Sequence, residues 1–186
     1  MPTWVRRPPG PVLAGATLIA GAALLWAASL PGSNFGLAMY AVLAGAVLCA
    51  AWLVRTLCFL ITAKRFSWWL LVVPTVVVLC LSLSAAQVPL RVRFVLAEDA
   101  FTRAADAAVA DPQAADILAG DIGSYPVSAV AVYRDRVYFT VAGGGFLDES
   151  GFAHLPSGPP AVDDPIGESV TVTALTGDWY VFSSTW

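Results

Sequence analysis

Three long apolar runs fill most of the first 86 positions, and short alternating segments separated by turn residues fill the rest. Phe66 to Ala86 is 21 residues without a charge. At about 1.5 Å of rise per residue such a helix reaches about 31 Å, enough to cross a hydrocarbon layer of roughly 30 Å. Val12 to Leu30 is a run of 19 apolar or small residues closed by the turn Pro31-Gly32-Ser33-Asn34, and Phe35 to Val54 forms a further run ending at Arg55. Between Arg55 and Lys64 lies TLCFLITA, too short to cross alone. It either prolongs the second helix or makes an interfacial turn. A basic start followed by an apolar run is also the pattern of a cleaved signal peptide. However, 19 residues exceed the usual core of roughly 7 to 15.

Beyond residue 87 the period changes. Val88 to Leu96 alternates, with Leu90, Val92 and Phe94 opposed to Arg91, Arg93 and Val95, and predicts a first strand that follows the last span almost without a linker. Ala97 to Ala110 predicts a helix with Glu98 and Asp99 near its start and Ala97, Phe101, Ala104 or Ala105, and Ala108 on its apolar face. Gln113 to Leu118 adds a short helical turn. Val127 to Val132 and Arg136 to Val141 predict a hairpin turning near Tyr133 to Asp135, with Val137, Phe139 and Val141 inward. Gly143-Gly144-Gly145 breaks that strand. A loop-rich passage follows, with an extended piece at Gly151 to Leu155. Val170 to Ala174 and Trp179 to Ser183 form a second hairpin around Leu175 to Asp178. The expected fold class is therefore an α-helical membrane region of three transmembrane helices, near 12–30, 35–54 and 66–86, within residues 1–87. Residues 88–186 form a small α+β domain in which one helix backs a curved antiparallel sheet.

Composition agrees with a membrane protein: 58% of residues are hydrophobic and only 12% charged, against roughly a quarter charged in soluble domains. The charges are also segregated. Residues 1–90 carry Arg6, Arg7, Arg55, Lys64 and Arg65 and no acid, whereas residues 91–186 carry five Arg against thirteen Asp or Glu. An acidic aqueous half excludes nucleic acid as a partner, since phosphate binding wants clustered Lys and Arg. Basic residues flank the cytoplasmic ends of spans. The N-terminus and the Arg55–Arg65 connection should therefore be cytoplasmic, and the C-terminal domain extracytoplasmic at the plasma membrane. Arg91 and Arg93 weaken this bias without reversing it. Trp4, Trp52, Trp68 and Trp69 would form a cytoplasmic aromatic belt. Ala16, Ala20, Ala23 and Ala27 on the first helix, and Ala41, Gly45 and Cys49 on the second, have the spacing that lets helices approach closely. Pro74 should kink the third span. Apart from Arg55, near an end where it can snorkel, no charge lies deep in any span, which disfavours a transporter or channel. Cys49, Cys58 and Cys80 all fall in or beside apolar segments, so no disulfide framework holds the outer domain.

Val88-Pro89-Leu90-Arg91-Val92-Arg93-Phe94, Gly145-Phe146-Leu147-Asp148 with Gly151-Phe152-Ala153, then Pro156, Gly158 and Pro159, and finally Gly177-Asp178-Trp179-Tyr180 form a recognisable series. On these residues, from about 88 to 186, the chain resembles a group of uncharacterised actinobacterial membrane proteins with a C-terminal extracytoplasmic domain. The resemblance implies membrane anchoring and an outer domain, and no mechanism. A tyrosine often stands in that group where this chain has His154, which argues against a group-wide catalytic role for His154.

Candidate chemistry is sparse. A zinc site wants three or four nitrogen or sulfur ligands, and the outer domain has His154 and no cysteine, so neither a metal nor another cofactor is expected. Asp148, Glu149, Asp163, Asp164 and Glu168 offer hard oxygens suited to calcium but lack the spacing of a calcium loop; an acidic solvated face is the commoner explanation. Ser150, Ser157, Ser183 and Ser184 form no nucleophile elbow. Phe146, Phe152, Trp179, Tyr180, Phe182 and Trp186 are a heavy aromatic load. Most should be core, although Trp and Tyr also favour binding patches. The candidate binding set is Phe146, Asp148, Phe152, His154, Trp179 and Tyr180, with no catalytic residue assigned. The favoured reading is a non-enzymatic accessory or interaction module whose partners are the lipid bilayer and another membrane or envelope protein. The rival is an envelope enzyme acting on a glycan or lipid through the acidic loop, assisted by His154.

Overall fold

The computed structural model describes residues 10–63, 66–113, 118–145, 148–159 and 169–185. It divides into two compact units, one comprising Met1–Ala27 and Gly36–Gln87, the other Ala28–Phe35 and Val88–Trp186.

The first unit is helical, with α1 (Pro11–Ala27), α2 (Phe35–Ala63) and α3 (Trp69–Ala85). Hydropathy predicts three spans; among the described residues, α2 alone is long and apolar enough to cross a bilayer by itself. α1 and α3 have 17 residues each. Their ends explain the shortfall. α1 stops where the chain turns toward Pro31 and Gly32, and α3 is closed by Gln87 in the left-handed region at φ 54°. α2 takes up TLCFLITA as helix, and its 29 residues amount to about 43 Å. α3 runs through Pro74 without a break in assignment. α1 packs on α3, where a Cβ at Gly21 would come 2.7 Å from Cys80 Sγ.

In the second unit, α4 (Val88–Ala110) precedes β1 (Gly120–Ile122), β2 (Tyr125–Tyr133), β3 (Arg136–Val141), β4 (Glu149–His154), β5 (Ser169–Thr176) and β6 (Trp179–Thr185). The strands make one antiparallel sheet in the order β1-β2-β3-β4-β6-β5. The two predicted hairpins are present: β2 and β3 pair from Tyr133–Arg136 outward, and β5 pairs with β6.

The strand expected at Val88–Leu96 is instead the first half of α4. Leu90, Phe94, Ala97, Phe101, Ala105 and Ala108 are buried on one side. That spacing of three and four is helical, and it continues the stripe of the second half without a phase break. Alternation over a few residues cannot compete with a stripe five turns long. Pro89 is tolerated because it lies in the first turn, where its missing N–H has no partner to lose. As a result, Glu98 and Asp99 lie mid-helix rather than at a helix start.

α4 packs on β1, β2 and β3. Its stripe meets Tyr125, Val127, Val130, Val137, Phe139, Phe152 and Trp179 in the main core. Phe94 and Phe101 centre an aromatic cluster, with Phe94 4.6 Å from Phe152 and Phe101 5.3 Å from Phe139 between ring centroids. The other face of the sheet buries Tyr138, Ala153, Leu155 and Phe182 in a smaller cluster. Both sheet faces are thus occupied, where the sequence pattern points to one.

The helical and strand readings of Val88–Leu96 predict different mutational costs. Phe94→Ala should cost about 3–5 kcal/mol, while Val92→Ala, on the exposed side, should stay within about 0.5 kcal/mol. Denaturant unfolding of the detergent-solubilised full chain, followed by near-UV circular dichroism, measures both. Equal losses would place the two residues on one face, as a strand requires.

Candidate functional site

The sheet register distributes the sequence candidates. His154 stands opposite Trp179 across β4 and β6, with ring centroids 4.8 Å apart. Phe152 lies two residues along the same face. Phe152 and Trp179 are buried in the main core, and His154 is half-buried. Tyr180 points to the opposite face, beside Tyr138 and Phe182. Asp148 precedes β4, while His154 ends it. Six residues of extended chain, roughly 20 Å, therefore keep that carboxylate from the imidazole. Phe146, Asp163, Asp164 and Glu168 lie outside the described residues. Among the described residues, no group of three or more His, Cys, Asp or Glu side chains is placed to hold a metal ion.

A different cluster ties the second unit together. Arg93 sits on α4 at the margin of the buried stripe, next to Phe94. Its guanidinium donates to Ser29 Oγ at 2.9 Å, to Ser124 Oγ at 3.0 Å and to the Ser124 carbonyl. The same group lies over the Tyr125 ring, with Cζ 4.2 Å from the centroid, and Tyr125 donates its hydroxyl proton to the Ser29 carbonyl at 3.3 Å. A planar fork with several donors suits this task, which a lysine could not perform.

Ser29 belongs to the turn that follows α1, so Arg93 fastens that turn into the domain. A second attachment lies a few residues on, where the Gly145 amide donates to the Ser33 carbonyl at 3.0 Å. Two glycines allow the close approach. Gly32 adopts φ 71°, and a Cβ there would meet Ser150 Oγ at 2.3 Å; a Cβ on Gly144 would meet the Pro31 carbonyl at 2.3 Å. Leu30 packs against the main core. The sequence pattern places Arg93 near the membrane exit, on the side of the expected strand opposite Leu90, Val92 and Phe94. The helical phase would have placed it beside the core, but nothing in the sequence pairs it with Ser29, 64 positions away.

Burial holds the Tyr125 phenol well above its usual range, and the Arg93 charge offsets this only in part. Near Asp135, in the β2–β3 turn, the Ser157 hydroxyl donates to the carboxylate and holds it below the usual range.

In the helical unit, Ala20, Ala41, Gly45 and Cys49 of the small-residue pattern line a cavity. It has a volume of about 250 Å³ and is bordered by Ala20, Gly21, Ala41, Gly45, Cys49 and Cys80 among others. All three cysteines are free thiols.

No protein-family model, no curated protein and no solved structure matches the chain.

Two consequences of the Arg93 cluster are measurable. Arg93→Met keeps the stem but removes the donors, and should destabilise the second unit by about 1–3 kcal/mol. Tyr125 gives a pH signature. Below about pH 10 the phenol is neutral in both folded and unfolded chains, so its contribution is fully present. Above that pH the unfolded chain ionises while the folded one resists, so stability should fall by up to about 1.4 kcal/mol per pH unit. Tyr125→Phe should flatten this alkaline limb in denaturant titrations between pH 9 and 11. An unchanged slope would mean that the phenol is not held neutral by the fold.

Proposed function

We propose that the chain is a multi-pass plasma-membrane protein with a cytoplasmic N-terminus and an extracytoplasmic α+β domain. In this reading it acts as a non-enzymatic accessory or interaction module toward another membrane or envelope protein. The observation that carries the proposal is the membership of Ala28–Phe35 in the same compact unit as Val88–Trp186. Two segments of one folded unit share one side of a membrane, so the chain between them must cross an even number of times. α2 leaves and α3 returns. In the sequence Lys64 and Arg65 follow the end of α2, and Arg55 lies on α2 eight residues before its end at Ala63; the positive-inside rule assigns such a basic connection to the cytoplasm. α1 then supplies the third crossing, its 17 residues being at the short end of the range of roughly 17 to 25.

The surface of the helices supports this placement. Ile19 at 74% exposure, Val47 at 69% and Val78 at 63% face outward, an arrangement unfavourable in water and suited to lipid. The interaction role draws on the domain's geometry. Asp148 and His154 stand at opposite ends of β4, and the His154 ring lies tilted against Trp179, so among the described residues Asp148 is not paired with the imidazole. The likeness to actinobacterial membrane proteins noted in the sequence belongs to this same proposal.

Alkaline phosphatase fusions test the orientation, because the enzyme folds only outside the cytoplasm. A fusion after Trp186 should be active and one after Arg65 inactive; the reverse pattern would overturn the reading. Affinity purification of the detergent-extracted chain should then recover a stoichiometric partner, and consistent recovery of the chain alone would count against an interaction module.

A further inference from the structure

α4 has a second apolar face, opposite the one that builds the core. Val88, Val92 and Val95 follow one line along the helix, and Leu96 flanks it. All four are exposed: Val92 at 56%, Val95 at 59% and Leu96 at 83%. Farther along, the same line continues as Asp99, Arg103 and Asp106, also exposed. The outward apolar surface is therefore largely confined to the first nine residues of a 23-residue helix.

Those nine residues are also the part tethered to α3. Only Ala86 and Gln87 intervene, and two residues span at most about 7 Å. We propose that the Val88/Val92/Val95/Leu96 face seats in the headgroup–acyl boundary of a phospholipid bilayer, with the exposed Arg91 beside it meeting lipid phosphate. The inference rests on the reading of α3 as a membrane crossing, and adds to it a lipid-contacting face on the outer domain. Three observations select lipid over a protein partner. The tether keeps this face within reach of the bilayer in every molecule, so a protein would have to displace lipid already there. The charge pattern matches an anionic surface, with Arg91 on the membrane-proximal turns and the line turning to Asp99 and Asp106 only beyond them. An amphipathic helix of this kind, with valine and leucine outward and arginine at the flank, has the chemistry of interfacial helices generally.

The test uses the full chain, with Cys49, Cys58 and Cys80 replaced by alanine, in phosphatidylcholine–phosphatidylglycerol vesicles. Single cysteines at Val92, Leu96, Asp106 and Leu79 carry an environment-sensitive fluorophore. Labels at Val92 and Leu96 should be quenched by nitroxide on the upper acyl chain and be several-fold less accessible to iodide than the label at Asp106. If iodide reaches Val92 and Leu96 as freely as Asp106 while Leu79 on α3 remains lipid-quenched, the proposal fails and the crossing stands. If Leu79 is also open to iodide, the crossing itself fails and takes the proposal with it. A measurement on the unmodified chain guards against misfolding of the variants. Diazirine-bearing phospholipid in the same vesicles should insert into residues 88–96 and spare 99–110. Insertion confined to α3 would overturn the proposal.

Discussion

The structure depends on one guanidinium. Arg93 joins α4, the β1–β2 turn and the turn after α1 by donating to Ser29 and Ser124 and lying over Tyr125. A charged donor with its hydrogen bonds made is favourable, and the half-buried Arg93 guanidinium has several of them. The cluster therefore works as a specificity device: the domain is complete only when the loop between the first two helices fills it. Gly32, Gly144 and the Gly145–Ser33 bond extend the attachment beyond a single side chain. What a hydropathy plot shows as a bare connection of a few residues is docked into the domain, with Ser29 and Pro31 buried.

That constraint reaches down the rest of the chain. With Ala28–Phe35 and Val88–Trp186 in one unit, α2 and α3 become a paired excursion that begins and ends at the same face. α4 starts after only Ala86 and Gln87, and its two sides differ in chemistry. One side supplies Leu90, Phe94, Ala97 and Phe101 to the core, and the other exposes Val88, Val92, Val95 and Leu96 near the start of the helix and turns mainly to Asp99, Arg103 and Asp106 beyond them. Burial on the inner side fixes the helix, and the outer side is then free to specialise by position along it.

How much of this was legible follows from the range of each interaction. The β2–β3 and β5–β6 hairpins could be read because alternation and turn chemistry are local: Val137, Phe139 and Val141 face inward as their spacing predicts, and Gly177 turns at φ 50°. The second half of α4 was legible for the same reason. Val88–Leu96 was misread because two periods fit a short window, and only the longer stripe separates them. β1, three residues long, carries too few positions to show a period. The small cluster of Tyr138, Ala153, Leu155 and Phe182 arises from strand order, with β6 lying beside β4, and strand order is not written in any one segment. The candidate site was the least legible part. Phe152, His154 and Trp179 do share a face, but as a core wall with His154 at its margin. Arg93, Ser29 and Tyr125 meet only through the tertiary fold.

The central claim is that the turn after α1 is part of the α+β unit, and its most direct readout is the Gly145 amide, which donates to the Ser33 carbonyl. Hydrogen exchange of the full chain in lipid nanodiscs, resolved at that amide, should show protection on the order of tenfold or more over the intrinsic rate, and Arg93→Met should reduce it. Exchange of the Gly145 amide at the intrinsic rate in the unaltered chain would mean that the turn is not docked, and would contradict the account.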